Sequence, residues 1–131
     1  MNVTGTDFIC VPTQDYEQAR AFYGDVLGLP LSKTWGTMPA AEFETGNLTI
    51  AVMQCDAFGM EFHRHTAPIA LHVEDVEAAR GELEQQGIAF HAATMDSGVC
   101  HMAHFSDPDG NPLMFHNRYA PPDVRPEGPA G

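Results

Sequence analysis

Positive charge is what this sequence has least of. Six Lys and Arg residues stand against eighteen Asp and Glu over 131 residues, a formal charge of −12. Contact with a phosphate needs a cation to displace its counterions, so this balance argues against nucleic acid and anionic lipid as partners and leaves neutral or cationic ones. The plainer use of the acidity is to keep a small protein soluble. Cysteine is scarce as well: Cys10, Cys55 and Cys100 are odd in number, far apart and form no C-x-x-C pair. That speaks against a disulfide framework or a structural zinc site and fits a reducing cytoplasm. No apolar stretch approaches the roughly 20 residues that span a bilayer. The opening MNVTGTDFIC has no basic segment of the kind that begins an export signal, so a cytoplasmic location is expected. Glycines around Gly24–Gly28 belong to a helix and its end rather than to a phosphate loop, and Ser97 and Ser106 lack the setting of a nucleophile elbow.

What is present is an internal echo. QDYEQARAFYGDVLGL and EDVEAARGELEQQGI both contain Asp-x-Glu-x-Ala-Arg, beginning at Asp15 and at Asp75, sixty residues apart. In each the Asp can cap a helix whose first turn the following Glu also favours. Tyr16, Ala19, Tyr23 and Val26/Leu27 share one face of the first helix, and Val76, Ala79 and Leu83 one face of the second. Gly28 and Gly87 are placed to end them. A short strand precedes each helix, DFICVPT and PIALHVE. Strand candidates follow: Leu31–Trp35, Ala41–Glu44 and Leu48–Gln54, then Ala89–Ala92, Val99–Phe105 and Pro112–Arg118. The order is β-α-β-β-β twice, over residues 1–58 and 59–119, with an extended Pro/Gly-rich tail at 120–131. Each module is too small to bury its own sheet, so the two are expected to share one domain.

RAFYGDVLGL after the Asp-capped helix start, and DPDGNPL between the last two strands, resemble the vicinal oxygen chelate superfamily, which includes glyoxalase I, extradiol dioxygenases, and fosfomycin- and bleomycin-resistance proteins. The resemblance runs from about Thr6 to Asn117. It implies an α+β fold of two βαβββ modules that pair into a curled mixed sheet around a cavity, usually in a homodimer. In metal-dependent members the first strand of each module gives a ligand, typically His, and the last strand gives another, typically Glu. Those positions fall here on Phe8, Pro68, Ala51 and Met114. Three offer no lone pair for a divalent metal, and Met114 offers a thioether suited to copper(I). The resemblance therefore points to a metal-free member with no cofactor.

Strand side chains alternate faces, so the residues expected inward are Phe8, Cys10, Thr49, Ala51, Met53, Ala70, His72, Met114 and His116. This lining is apolar and polarizable, suits an aromatic or polyketide-like ligand, and carries no Asp or Glu. Trp35 could stack on a planar ligand, with Phe58, Met60 and Phe62 contributing from the connecting segment. The blander alternative is that Phe8, Met53 and Met114 are core and that His72 and His116 are hydrogen-bonded, buried histidines. His63 and His65 fall in a loop, and His101 and His104 are spaced to face opposite ways. Asp107 and Asp109 are explained by the turn DPDG. The function expected is a metal-free protein that binds and sequesters an antibiotic-like ligand, with no nucleic-acid or membrane partner. The alternative is an enzyme of the same fold, using His72 and His116 as acid and base or a displaced metal site.

Overall fold

Both Asp-x-Glu-x-Ala-Arg motifs open helices in the way their sequence requires. Asp15 and Asp75 are extended, and each side chain accepts the backbone N–H three residues on, from Gln18 at 3.1 Å and Ala78 at 3.0 Å. Helix α1 runs Tyr16–Ala21 and α2 Val76–Gln85. The first continues into a single wide π-type turn, Phe22–Val26. That turn brings the adjacent Phe22 and Tyr23 inward together with Ala19, all three buried. Gly24 lies where a Cβ would come 3.2 Å from the Phe43 ring, so the helix rests on the sheet through a missing side chain.

The computed structural model describes residues 1–125, in two units: residues 1–65 with 107–111, and 66–106 with 112–125. The first unit holds strands β1 (Ile9–Thr13), β2 (Leu31–Thr34), β3 (Ala40–Glu44) and β4 (Thr49–Gln54), in the order β1-β4-β3-β2. The second holds β5 (Ile69–His72), β6 (Met95–Asp96), β7 (Cys100–Ser106) and β8 (Pro112–Arg118), in the order β5-β8-β7-β6. In each sheet the first and last strands pair parallel and the others antiparallel. The α+β class and the repeated strand–helix–three-strand order thus hold. Among the described residues no helix is long and apolar enough to cross a membrane.

Alternation places Val11, Ile50, Val52, Ala41 and Phe43 in the buried core of the first unit. Leu71, Ala103, Phe105, Leu113 and Phe115, with Val76 and Leu83 of α2, form that of the second. The strand expected at Ala89–Ala92 does not form; the corresponding strand is the short β6. Phe90 anchors this stretch instead, 5.1 Å from the Phe105 ring and under the Arg80 guanidinium, and His91 N–H donates to the His104 carbonyl. The half-buried Phe90 ring packs on Phe105 and Phe115 there in place of a strand ladder. At the end of the chain Pro121–Val124 makes a turn, whose carbonyls at Pro121 and Val124 accept from Arg118. Residues 126–131 of the expected tail lie outside the described residues.

The turn between β7 and β8 belongs to the first unit, although both strands belong to the second. The helices begin sixty residues apart, at Tyr16 and Val76, but β4 and β8 begin sixty-three apart, at Thr49 and Pro112. Two of the three extra residues lengthen β7 relative to β3, and the third is in this turn, which has five residues where the β3–β4 turn has four. Gly110, at φ +88°, closes it, with its N–H on the Asp107 carbonyl at 3.0 Å.

Candidate functional site

Each sheet has a face turned away from its helix, and register fixes what that face carries. In the first unit one rung reads Cys10, Ala51, Glu42, and the rung beyond it Pro12, Met53, Ala40. Thr49 stands opposite Glu44 on a third rung. The structure thus brings Cys10, Thr49, Ala51 and Met53 together as their alternation predicts, with Phe8 just ahead of β1. It also corrects one expectation, that no carboxylate shares the face. Glu42 and Glu44, both on β3, do.

Those carboxylates are engaged. The Trp35 indole N–H donates to Glu42 Oε2 at 2.6 Å. Glu44 accepts from the hydroxyls of Ser32 and Thr49, which hold its carboxyl below the usual range. Trp35 in turn stands edge-on to two rings, Phe8 at 5.5 Å and Phe58 at 5.9 Å. Phe8, Trp35 and Phe58 are therefore one cluster, built from the residue before β1, the residue after β2 and the 3₁₀ turn Cys55–Phe58. Phe8 keeps 39% of its surface exposed, so the cluster is not closed core. Met60 and Phe62 line a separate recess of about 330 Å³ with Thr13, Gln14, Cys55 and Asp56. The Cys10 thiol is exposed, yet partial desolvation raises its pKa, which makes it a poor nucleophile.

In the second unit Ala70 stands opposite Met114, and His72 opposite His116. The face continues across β7, where His104 is opposite Met114 and Met102 opposite His116. His72 is not a buried histidine: its side chain is 65% exposed and its ring lies 3.1 Å from Glu74 Oε1. His116 is half-buried. His104 and Met102 are additions that strand phase alone would have placed here. His91 Nε2 lies 2.8 Å from the Ser106 hydroxyl at the end of β7.

The divalent metal that the resemblance implies for many members does not fit these residues. Of its four positions, Ala51 sits in the sheet at 0% exposure with only a methyl group to offer. Phe8 presents a ring already packed against Trp35, and Met114 a thioether. Among the described residues no three His, Cys, Asp or Glu side chains are grouped to hold a metal ion.

The turn DPDGN is a second built feature, supporting the first sheet rather than reacting. Asp107 is buried and accepts from the Tyr23 hydroxyl at 2.7 Å, from the Asn111 amide at 2.8 Å, and from the backbone N–H of Asp109 and Asn111. Burial raises its carboxyl pKa despite these donors. Asn111, buried, also donates to the Pro12 carbonyl, and Asp109 accepts from Thr13 and Gln14. The two sequence motifs, AFY and DPDGN, are thus joined by one hydrogen bond within the first unit.

The family described as Glyoxalase/Bleomycin resistance protein/Dioxygenase superfamily matches residues 5–115. No curated protein sequence matches the chain. Solved structures of the same fold include TnmS3, an antibiotic binding protein from Streptomyces sp. CB03234, at TM-score 0.74 and 21% identity, covering 90% of this chain and 98% of that one. A glyoxalase/bleomycin resistance protein/dioxygenase from Nocardioides aligns at 0.73 and 19% identity, over 100% and 93% of the two chains. Lactoylglutathione lyase from Agrobacterium tumefaciens aligns at 0.69 and 16% identity, over 88% and 95%. At these identities the likeness is one of fold.

Proposed function

Because the chain belongs to the glyoxalase/bleomycin resistance protein/dioxygenase superfamily, in which one fold serves an antibiotic binding protein and a lyase, we propose that it is a small-molecule-binding protein that sequesters an aromatic, antibiotic-like ligand without a divalent metal. The observation that carries this reading is the Phe8–Trp35–Phe58 cluster, tied through the indole to Glu42, on the sheet face where the metal-dependent members need hard donors. Aromatic rings with an open edge favour a planar partner. Cys10, Ala51 and Met53 add soft, apolar contact beside them. The cytoplasmic location and the homodimer belong to the same proposal. A second copy would cover sheet faces that their own helices leave open, and sedimentation of the purified protein should show two chains per particle; a monomer at all concentrations would remove this part.

Trp35 is the only tryptophan, so its fluorescence reads this cluster alone. Titration with a planar aromatic antibiotic should quench it saturably, and mass spectrometry should recover the compound unchanged. Glu42→Ala, which frees the indole N–H, should weaken the binding severalfold, whereas Glu42→Gln keeps an acceptor and should not. Absence of saturable quenching across a panel of planar antibiotics would end the binder reading. Recovery of an altered compound would favour the second reading, an enzyme. Its support is the direct pairing of His72 with His116 on adjacent strands, a placement suited to acid–base chemistry.

A further inference from the structure

The helix-free face of the second sheet carries a donor set of its own. Met114 stands opposite His104, and two residues along, His116 stands opposite Met102. Directly opposed residues have Cβ atoms about 4.5–5.5 Å apart, and rungs two residues apart along a strand are separated by about 6.6–6.8 Å. Two thioethers and two imidazoles therefore occupy the corners of a small quadrilateral, with sulfur diagonal to sulfur and imidazole diagonal to imidazole. Met102 is nearly buried and the other three are half-buried, so the patch is partly desolvated but reachable. No hydrogen bond between described residues engages the ring of His104 or His116. Methionine side chains rotate about three bonds and can turn their sulfurs toward a common centre.

The chemistry of such a set is selective. None of the four donors is anionic, two are soft and two are borderline, and the neighbouring residues on the same rungs, Ala70, His72 and Met95, carry no carboxylate. A divalent ion would keep its full charge uncompensated here, whereas a soft monovalent ion needs no anionic ligand and prefers sulfur. We propose that Met102, His104, Met114 and His116 bind one soft d¹⁰ monovalent cation, copper(I), on the sheet of the second unit. The site is distinct from the divalent positions of the superfamily, of which it uses only Met114. It does not depend on the ligand-binding reading, which rests on the other sheet.

The test is a titration of the full, untagged, reduced protein with copper(I) buffered by a chromophoric chelator, without oxygen. Cys10 is an exposed competing thiol, so the Cys10→Ser protein is measured alongside. One equivalent should be withdrawn from the chelator by both proteins. Met102→Leu and Met114→Leu conserve volume and should keep the unfolding midpoint. Each should weaken copper(I) by at least the roughly 10-fold that changes behind a metal ligand already cost, and the double variant should lose it. Silver(I) added to protein labelled at its Met methyl carbons should shift Met102 and Met114 but leave Met1, Met38 and Met60 in place, a readout that needs no variant. The proposal is overturned if copper(I) is not withdrawn, if Cys10→Ser abolishes the binding, or if the double Met variant retains it. It is equally overturned if silver(I) leaves Met102 and Met114 unshifted, or if zinc(II) is held as tightly.

Discussion

Tyr23 and Asp107 lie eighty-four positions apart, and the 2.7 Å bond between them links the DPDGN turn to the helix of its unit. Both groups are buried. Tyr23→Phe strips one donor from a desolvated carboxyl that keeps three others. A hydrogen bond lost from an acceptor that keeps other partners costs about 0.5–1.5 kcal/mol, so urea unfolding should register a loss in that range with an unchanged slope. A loss below a few tenths would mean that Asn111 and the backbone satisfy Asp107 without the phenol. The same residue shows how burial and hydrogen bonding compete: the donors favour the carboxylate, yet desolvation prevails and the phenol of Tyr23 is itself pushed up in pKa by burial.

The turn itself is an element whose geometry one residue permits. Gly110 sits at φ +88°, and a Cβ built there would meet only the Arg64 side chain, at an ordinary 3.5 Å. Gly110→Ala should therefore cost the backbone term alone, about 1–2 kcal/mol for an L-residue in the left-handed region, read as a lowered unfolding midpoint with Trp35 emission unchanged. A cost well above this would show that the turn's other contacts move with it. Elements of this kind were legible in the sequence because their signals are local: the Asp caps fixed where both helices start, and DPDG announced its turn. What escaped was decided by partners far along the chain. The alternation Ala41-Glu42-Phe43-Glu44 already implied that a buried Phe43 sends both glutamates to the other face. Its bearing on the site emerged only once β3 was paired with β4, Glu42 opposite Ala51. Residues 89–92 looked like a strand by composition, but Phe90 found two rings to pack on, Phe105 and Phe115, and no strand partner. Nor does any local pattern show that Tyr23 reaches Asp107. The aromatic cluster was half legible: Trp35, Phe8 and Phe58 each stood out, while their contact depends on the path of the segment after β4.

At the scale of the whole molecule, charge and pH act together. A chain of formal charge −12 repels itself, and that repulsion weakens as pH falls and carboxylates begin to take up protons. Asp107 acts in the same direction. Its folded pKa is raised, so its stabilising contribution is complete below the ordinary Asp value of about 3.9 and is lost as pH rises through the raised value. Glu44 and Asp96 act the other way. Glu44 is lowered by the Ser32 and Thr49 hydroxyls, and Asp96 by the Tyr119 hydroxyl and the Gly98 N–H. Their contributions are present above the ordinary carboxylate values of about 4 and disappear as pH falls through the depressed ones. The unfolding midpoint should therefore be highest at mildly acid pH, between neutrality and about 4, and should decline on both sides. Asp107→Asn, which cannot titrate, should reduce the rise on the acid side of neutrality, while added salt should flatten the part due to general repulsion. A midpoint that falls steadily from pH 7 downward would show that the depressed carboxylates outweigh both the raised one and the net charge.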